Sequence, residues 1–140
     1  MGLAMALAKG GLDVVVADPV PQRAALDAKF DGRVCALSYA SVRMFEALGV
    51  WVHLKKDAQP INDILVTDAR LGRAPSPFSL HFDAAEEHAD ALGHIVEHSH
   101  TRTGLLAVAT PLSNLRLVAP ADLTNPHSDA TGNVQSSTNG

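Results

Sequence analysis

The sequence predicts an α/β fold, and three observations carry that prediction. The opening stretch GLAMALAKGGLDVVVADP reads as a helix, a glycine turn and a buried strand ending on an acid. Strand-patterned and helix-patterned segments then alternate across residues 1–123, as they do where helices cross over a sheet. From residue 124 onward that patterning stops.

The elements follow in order. After Gly2, the apolar run Leu3, Met5, Ala6 and Leu7 reads as a helix packed by small residues. Gly10 and Gly11 stand where its C-cap falls, because glycine alone enters the left-handed region without strain. LDVVVAD is a β-branched run of the kind buried on both faces of a parallel sheet. PVPQRAALDAKFDGR is a polar connection with a short helical stretch expected around residues 24–28. ALSYASVRMFEALGVW predicts a solid helix: Ser38 as N-cap, Val42, Phe45 and Leu48 on one face, and Gly49 just past the C-cap. VHLKKDAQP continues as a short helix or turn that Pro60 stops. Strands are expected at 61–69 and 78–82 across the turn LGRAPSP, and a third in ALGHIVEHS. HTRTGLLAVATPL reads as helix up to Pro111, weakened by Gly104, and NLRLVAPADL as a further strand. The tail TNPHSDATGNVQSSTNG has almost no apolar residues to offset chain entropy, so residues 124–140 are expected to be disordered.

Bulk properties limit the function classes. A chain of 140 residues is one domain or a piece of one, and 46% hydrophobic residues suit a soluble globular protein. A formal charge of -4 without a Lys/Arg cluster argues against nucleic acid as the partner. No run approaches the roughly 18 apolar residues that would cross a bilayer. The single cysteine, Cys35, leaves no internal disulfide and suits a reducing compartment, so a cytoplasmic location is expected.

Helix, turn, strand and acid, in that order, form the second half of a βαβ unit. In a dinucleotide-binding unit the turn before the helix carries Gly-x-Gly-x-x-Gly, and an acid about 20 residues beyond the first glycine holds the ribose hydroxyls. Gly2 fits the third glycine and Asp18 the ribose acid. The first strand and the first two glycines have no counterpart in the sequence, so truncation is the expected reason for this abrupt opening.

Taken together, GLAMALAKGGLDVVVADP, DGRVCALSYASVRMFEALGVW, DAQPINDILVTDAR, FSLHFDAAE, ALGHIVEHSHTRTGLLA and NLRLVAP resemble, in this order, the N-terminal part of the flavin-dependent hydroxylases of ubiquinone biosynthesis. These are class A aromatic monooxygenases with the para-hydroxybenzoate hydroxylase fold. The likeness runs from residue 2 to about 121. It implies a partial Rossmann-like FAD-binding domain over residues 1–123 that lacks its first strand. The start of a substrate-side sheet would be inserted at 60–98. It also implies FAD as cofactor, NAD(P)H as electron donor, and a small aromatic or prenylated quinol-precursor substrate, which is compatible with peripheral membrane association. Carried over by position, Gly2 matches the last fingerprint glycine and Asp18 the ribose acid. Arg33 matches an arginine near the flavin pyrophosphate, where a guanidinium pairs bidentately with phosphate oxygens.

Three departures stand beside the likeness. Ser99 occupies a place where relatives often carry arginine, with Arg102 as a distant substitute. The later Asp-Gly and Gly-Asp motifs of the family have no counterpart. A fragment inactive by itself is therefore expected. The rival readings are a non-catalytic α/β remnant without cofactor and a piece of an NAD-dependent dehydrogenase.

Other constellations read more plainly. His94, His98 and His100, with Glu97 among them, would point one way on a strand, but no Cys pair or His-Glu-x-x-His supports a metal site. Cys35 reads as a small buried residue, FDAAEEHAD as a solvated turn, and Trp51 as packing beside Phe45 and Leu48. No acid–base pair stands out as catalytic; in such enzymes the cofactor carries the chemistry.

Overall fold

A computed structural model describes residues 1–22, 32–68, 72, 78–128 and 134–139. The helical stretch expected around residues 24–28 lies outside them.

The chain opens with helix α1 (Gly2–Lys9) and strand β1 (Val14–Ala17). Between them Gly11 takes the left-handed conformation (φ 91°), while Gly10 stays at φ -75°. β1 pairs in parallel with β7 (Leu115–Val118), Val14 opposite Leu115 and Ala17 opposite Val118. This pair is the Rossmann-like part of the fold. α1 buries Ala4, Met5 and Ala8 in the core, and small side chains there let it lie close to its neighbours.

A second sheet has the order β2-β6-β3, with β2 (Val34–Ser38) and β3 (Gln59–Ile61) both antiparallel to the central β6 (Gly93–Glu97). β2 is a strand the sequence reading absorbed into the following helix. Its apolar run Val34–Leu37 is short, and its side chains alternate between exposed and half-buried. Ser38 ends the strand and caps α2 (Tyr39–Leu48), its Oγ accepting from Ser41 N–H at 3.2 Å. Gly49 closes that helix at φ 77°. Val42, Phe45 and Leu48 are buried, as their spacing predicts. α3 (Trp51–Leu54) and a 3-10 turn (Lys55–Asp57) lead to β3, where Pro60 sits in an outer strand of this sheet. There a missing N–H is tolerated.

The single strand expected at 61–69 is in fact two. β3 joins β6, whereas β4 (Asp63–Thr67) pairs antiparallel with β5 (Ser79–Asp83) in a separate ribbon. The break falls at Asn62, whose carbonyl accepts from Ala84 N–H at 2.9 Å. α4 (His98–Ala109) begins directly after β6 and stops short of Pro111. Gly104 lets it press against α3: a Cβ there would lie 2.8 Å from Leu54 Cδ2. Leu54, Met5, Val50 and Val96 form the driest part of the core.

Among the described residues of the tail expected to be disordered over 124–140, two strands pair. β8 (Asp122–Ser128) pairs antiparallel with β9 (Val134–Asn139), with an irregularity between Thr124 and His127. Backbone pairing needs no apolar side chain, so composition did not reveal it.

Candidate functional site

Asp18 stands at the carboxyl end of β1, fixed by its own backbone. Its N–H donates to Val118 O at 3.0 Å, and its carbonyl accepts from Ala121 N–H at 2.9 Å. The carboxylate Oδ1 accepts from Val20 N–H at 2.8 Å, an Asx turn that holds the side chain at the strand tip and leaves Oδ2 outside that bond. In open α/β sheets, the crevice beyond the carboxyl ends of the strands is where ligands bind.

Such a crevice is present. A cleft of about 190 Å³ lies between the tips of β1 and β7 and the helix α4. Met1, at the start of α1, and Asp18 line it together with His98, Thr101 and Arg102 of α4. Aliphatic side chains such as Val16, Leu105 and Leu117 complete the walls. Residues from both ends of the chain thus meet in one place, because β1 and β7 pair in parallel.

The sequence-predicted residues fare unequally. Asp18 lines the cleft. Gly2 begins α1 next to the lining residue Met1, and Met5 N–H bonds Met1 O at 3.0 Å, so the first turn is formed. A Cβ on Gly2 would meet Met44 Cε at 3.8 Å and Phe45 Cε1 at 4.0 Å, ordinary contacts on α2. Packing therefore does not by itself demand glycine there. Arg33 lies just before β2 and its carbonyl accepts from His98 N–H at 3.1 Å. Its backbone is thus one hydrogen bond from a cleft residue, but its side chain is not part of the lining.

Asp18 keeps one carboxylate oxygen outside its turn bond, and the early amides of α1 have no intrahelical acceptor. The sequence reading gives Arg102 as a distant substitute for the family's arginine and weighs His98 only as a metal ligand. Their spacing of four residues on a helix was the available signal, because it puts both on one face.

The histidine constellation is dispersed. His94 belongs to β6, whereas His98 and His100 lie on α4. Among the described residues no group of three or more His, Cys, Asp or Glu side chains is placed to hold a metal. His94 packs its ring edge-on against Trp51, centroids 4.9 Å apart, and Trp51 is buried in the core. Among the described residues no helix is long and apolar enough to cross a membrane.

No family model matches the chain. Among characterised proteins, the ubiquinone hydroxylase UbiL of Rhodospirillum rubrum is 37% identical over 130 residues, which is 93% of this chain and 29% of that protein. The ubiquinone hydroxylase UbiM of Neisseria meningitidis is 29% identical over 123 residues, 84% of this chain and 26% of its own. The chain therefore spans under a third of the length of these relatives. Among solved structures, PqsL of Pseudomonas aeruginosa, described as a probable FAD-dependent monooxygenase, superposes with a TM-score of 0.60 at 17% identity. That match covers 99% of this chain and 35% of PqsL, and a variant of PqsL matches at a TM-score of 0.64 with 18% identity. The chain is similar in sequence to one part of the ubiquinone hydroxylases and shares the fold of part of PqsL.

Proposed function

We propose that the chain forms the adenosine-binding side of the FAD site in an aromatic-ring hydroxylase of ubiquinone biosynthesis. The observation that carries this reading is Asp18, held at the tip of β1 in a cleft that Met1 also lines. Asp18 would accept hydrogen bonds from the ribose hydroxyls. The first turn of α1, beginning at Gly2, would offer amides to the pyrophosphate, and Arg33 would add positive charge on the same side. FAD, reduced by NAD(P)H, supplies the oxygen-activating chemistry when bound. This chain's own residues bind and orient it. The substrate would be a small aromatic or prenylated quinol precursor, met in the cytoplasm or at the membrane surface.

Among the described residues β1 pairs on one side only, with β7, and Val15 is 59% exposed. Alone, the chain is therefore expected neither to retain FAD tightly nor to oxidise NAD(P)H. That half of the reading is sunk by tight, stoichiometric FAD binding to the isolated folded chain.

The test of Asp18 uses a chimera in which residues 1–121 replace the matching stretch of UbiL. Asp18→Ala removes charge-assisted hydrogen bonds worth about 1.5–3 kcal/mol, roughly a ten- to hundred-fold loss of FAD affinity. Flavin fluorescence quenching reads the affinity directly. Equal affinity in the two chimeras would make Asp18 a strand-end residue and nothing more.

A further inference from the structure

The β4–β5 ribbon is exposed on both of its faces. All five residues of β4 and four of the five of β5 are open to solvent. Among the described residues each of these strands pairs only with the other. A two-stranded ribbon is marginal in water, and three or more strands with an apolar face make a stable sheet. This ribbon has the apolar face, where the register sets Ile64, Val66, Leu80 and Phe82 on one side. Its edges carry backbone donors and acceptors that neither strand satisfies, and neither strand holds the proline or lysine that blunts an edge.

β5 reads Ser-Leu-His-Phe-Asp, a pattern that complements itself when run antiparallel. With His81 on a two-fold axis, Leu80 meets the second copy's Phe82 on the apolar side, and Ser79 meets the second copy's Asp83. Aliphatic–aromatic pairs of this kind stabilise neighbouring strands. No carboxylates oppose each other across the axis. The two His81 side chains that meet there each have Asp63 Oδ1 at 3.0 Å from Nε2. Such a contact is isologous, so it closes at two copies instead of growing. β4 is the poorer edge, because its own pairing about Leu65 would set Ile64 against Val66 with no aromatic side chain. We infer that the edge of β5 is a self-association surface whose partner is a second copy of this chain, paired antiparallel about His81 into a four-stranded sheet.

The experiment uses the 140-residue chain with Cys35→Ser, so that each introduced thiol stands alone. Sedimentation velocity at rising concentration should show a monomer–dimer equilibrium. Leu80→Glu sets a carboxylate against the second copy's ring and should weaken the dimer at least about tenfold. Leu80 is 63% exposed, so circular dichroism should report an unchanged fold. On mild oxidation His81→Cys should give a disulfide-linked dimer. Facing Cα atoms in an antiparallel pair stand about 4.5–5.5 Å apart, and a disulfide spans about 4.4–6.8 Å. Ser79→Cys lies four residues from its own counterpart in this register, roughly 13 Å away, and should stay unlinked. A chain that stays monomeric, or that aggregates without a dimer, would overturn the inference. So would a dimer that Leu80→Glu leaves intact. Linkage through Leu65→Cys in place of His81→Cys would overturn the choice of edge and move the pairing to β4. Linkage through Ser79→Cys would overturn the register.

Discussion

The Asn114 side-chain amide donates to Leu12 O at 2.9 Å, and the same Nδ2 donates to Ala8 O at 2.7 Å. Asn114 also accepts from Val14 N–H through its backbone at 2.8 Å, the contact that starts the β1–β7 pairing. One residue near the end of the fold therefore sets the angle between α1 and β1, and with it the position of the cleft. Asn114→Ala leaves Leu12 O without this donor and should destabilise the fold by about 1–3 kcal/mol. Chemical denaturation measures it. A midpoint equal to wild type would show that water replaces the amide at no cost.

Gly104 and Leu54 set the spacing of α4 and α3. Alanine at position 104 would gain up to about 1 kcal/mol in helix propensity. Against this, its Cβ would meet Leu54 Cδ2 at 2.8 Å and His53 Cβ at 3.4 Å, and Leu54 is fully buried with little room to yield. Overpacking of this kind costs about 1–3 kcal/mol. Gly104→Ala should therefore lower the thermal unfolding temperature. A rise would mean that the Leu54 side chain turns aside freely.

The β4–β5 ribbon is amphipathic by register. Ile64 faces Phe82 and Val66 faces Leu80 on one side, while Leu65 faces His81 on the other, where His81 Nε2 lies 3.0 Å from Asp63 Oδ1. All four side chains of the apolar side are exposed, Leu80 at 63%. Contiguous apolar surface of this kind promotes association. Replacing Leu80 and Phe82 together by Thr, which keeps β-propensity, should reduce both binding of a hydrophobic fluorescent dye and self-association in light scattering. Unchanged dye binding would place the sticky surface elsewhere.

Much of the local structure was legible because its causes are local. Ser38 caps a helix through a bond three residues away, Gly49 supplies a left-handed residue, and Val42, Phe45 and Leu48 repeat at the helical period. The β-branched run Val14–Val16 forms a strand as expected, with Asp18 at its tip, but the burial on both faces that its composition suggests is not found: Val15 is exposed and its neighbours are half-buried. The resemblance to ubiquinone hydroxylases rested on such stretches in order, and the matches to UbiL and UbiM agree with it.

Other features depended on distant partners, and no single window of sequence carries them. β2 is a strand because β6 pairs with it from Ser38↔Gly93 to Val34↔Glu97. Residues 59–67 divide between two sheets because β6 accepts only the first part and β5 takes the second. The polar tail forms a hairpin through backbone bonds, to which composition is blind. The cleft itself is a tertiary product. Asp18 and Arg102 are far apart in the chain and meet only because β7 lies parallel to β1 while α4 packs beside them. Sequence patterns record what each segment buries and how its ends are capped. Which segments pair is decided by the free energy of the whole packed chain, and only that pairing brings residues of β1, β7 and α4 to line one cleft.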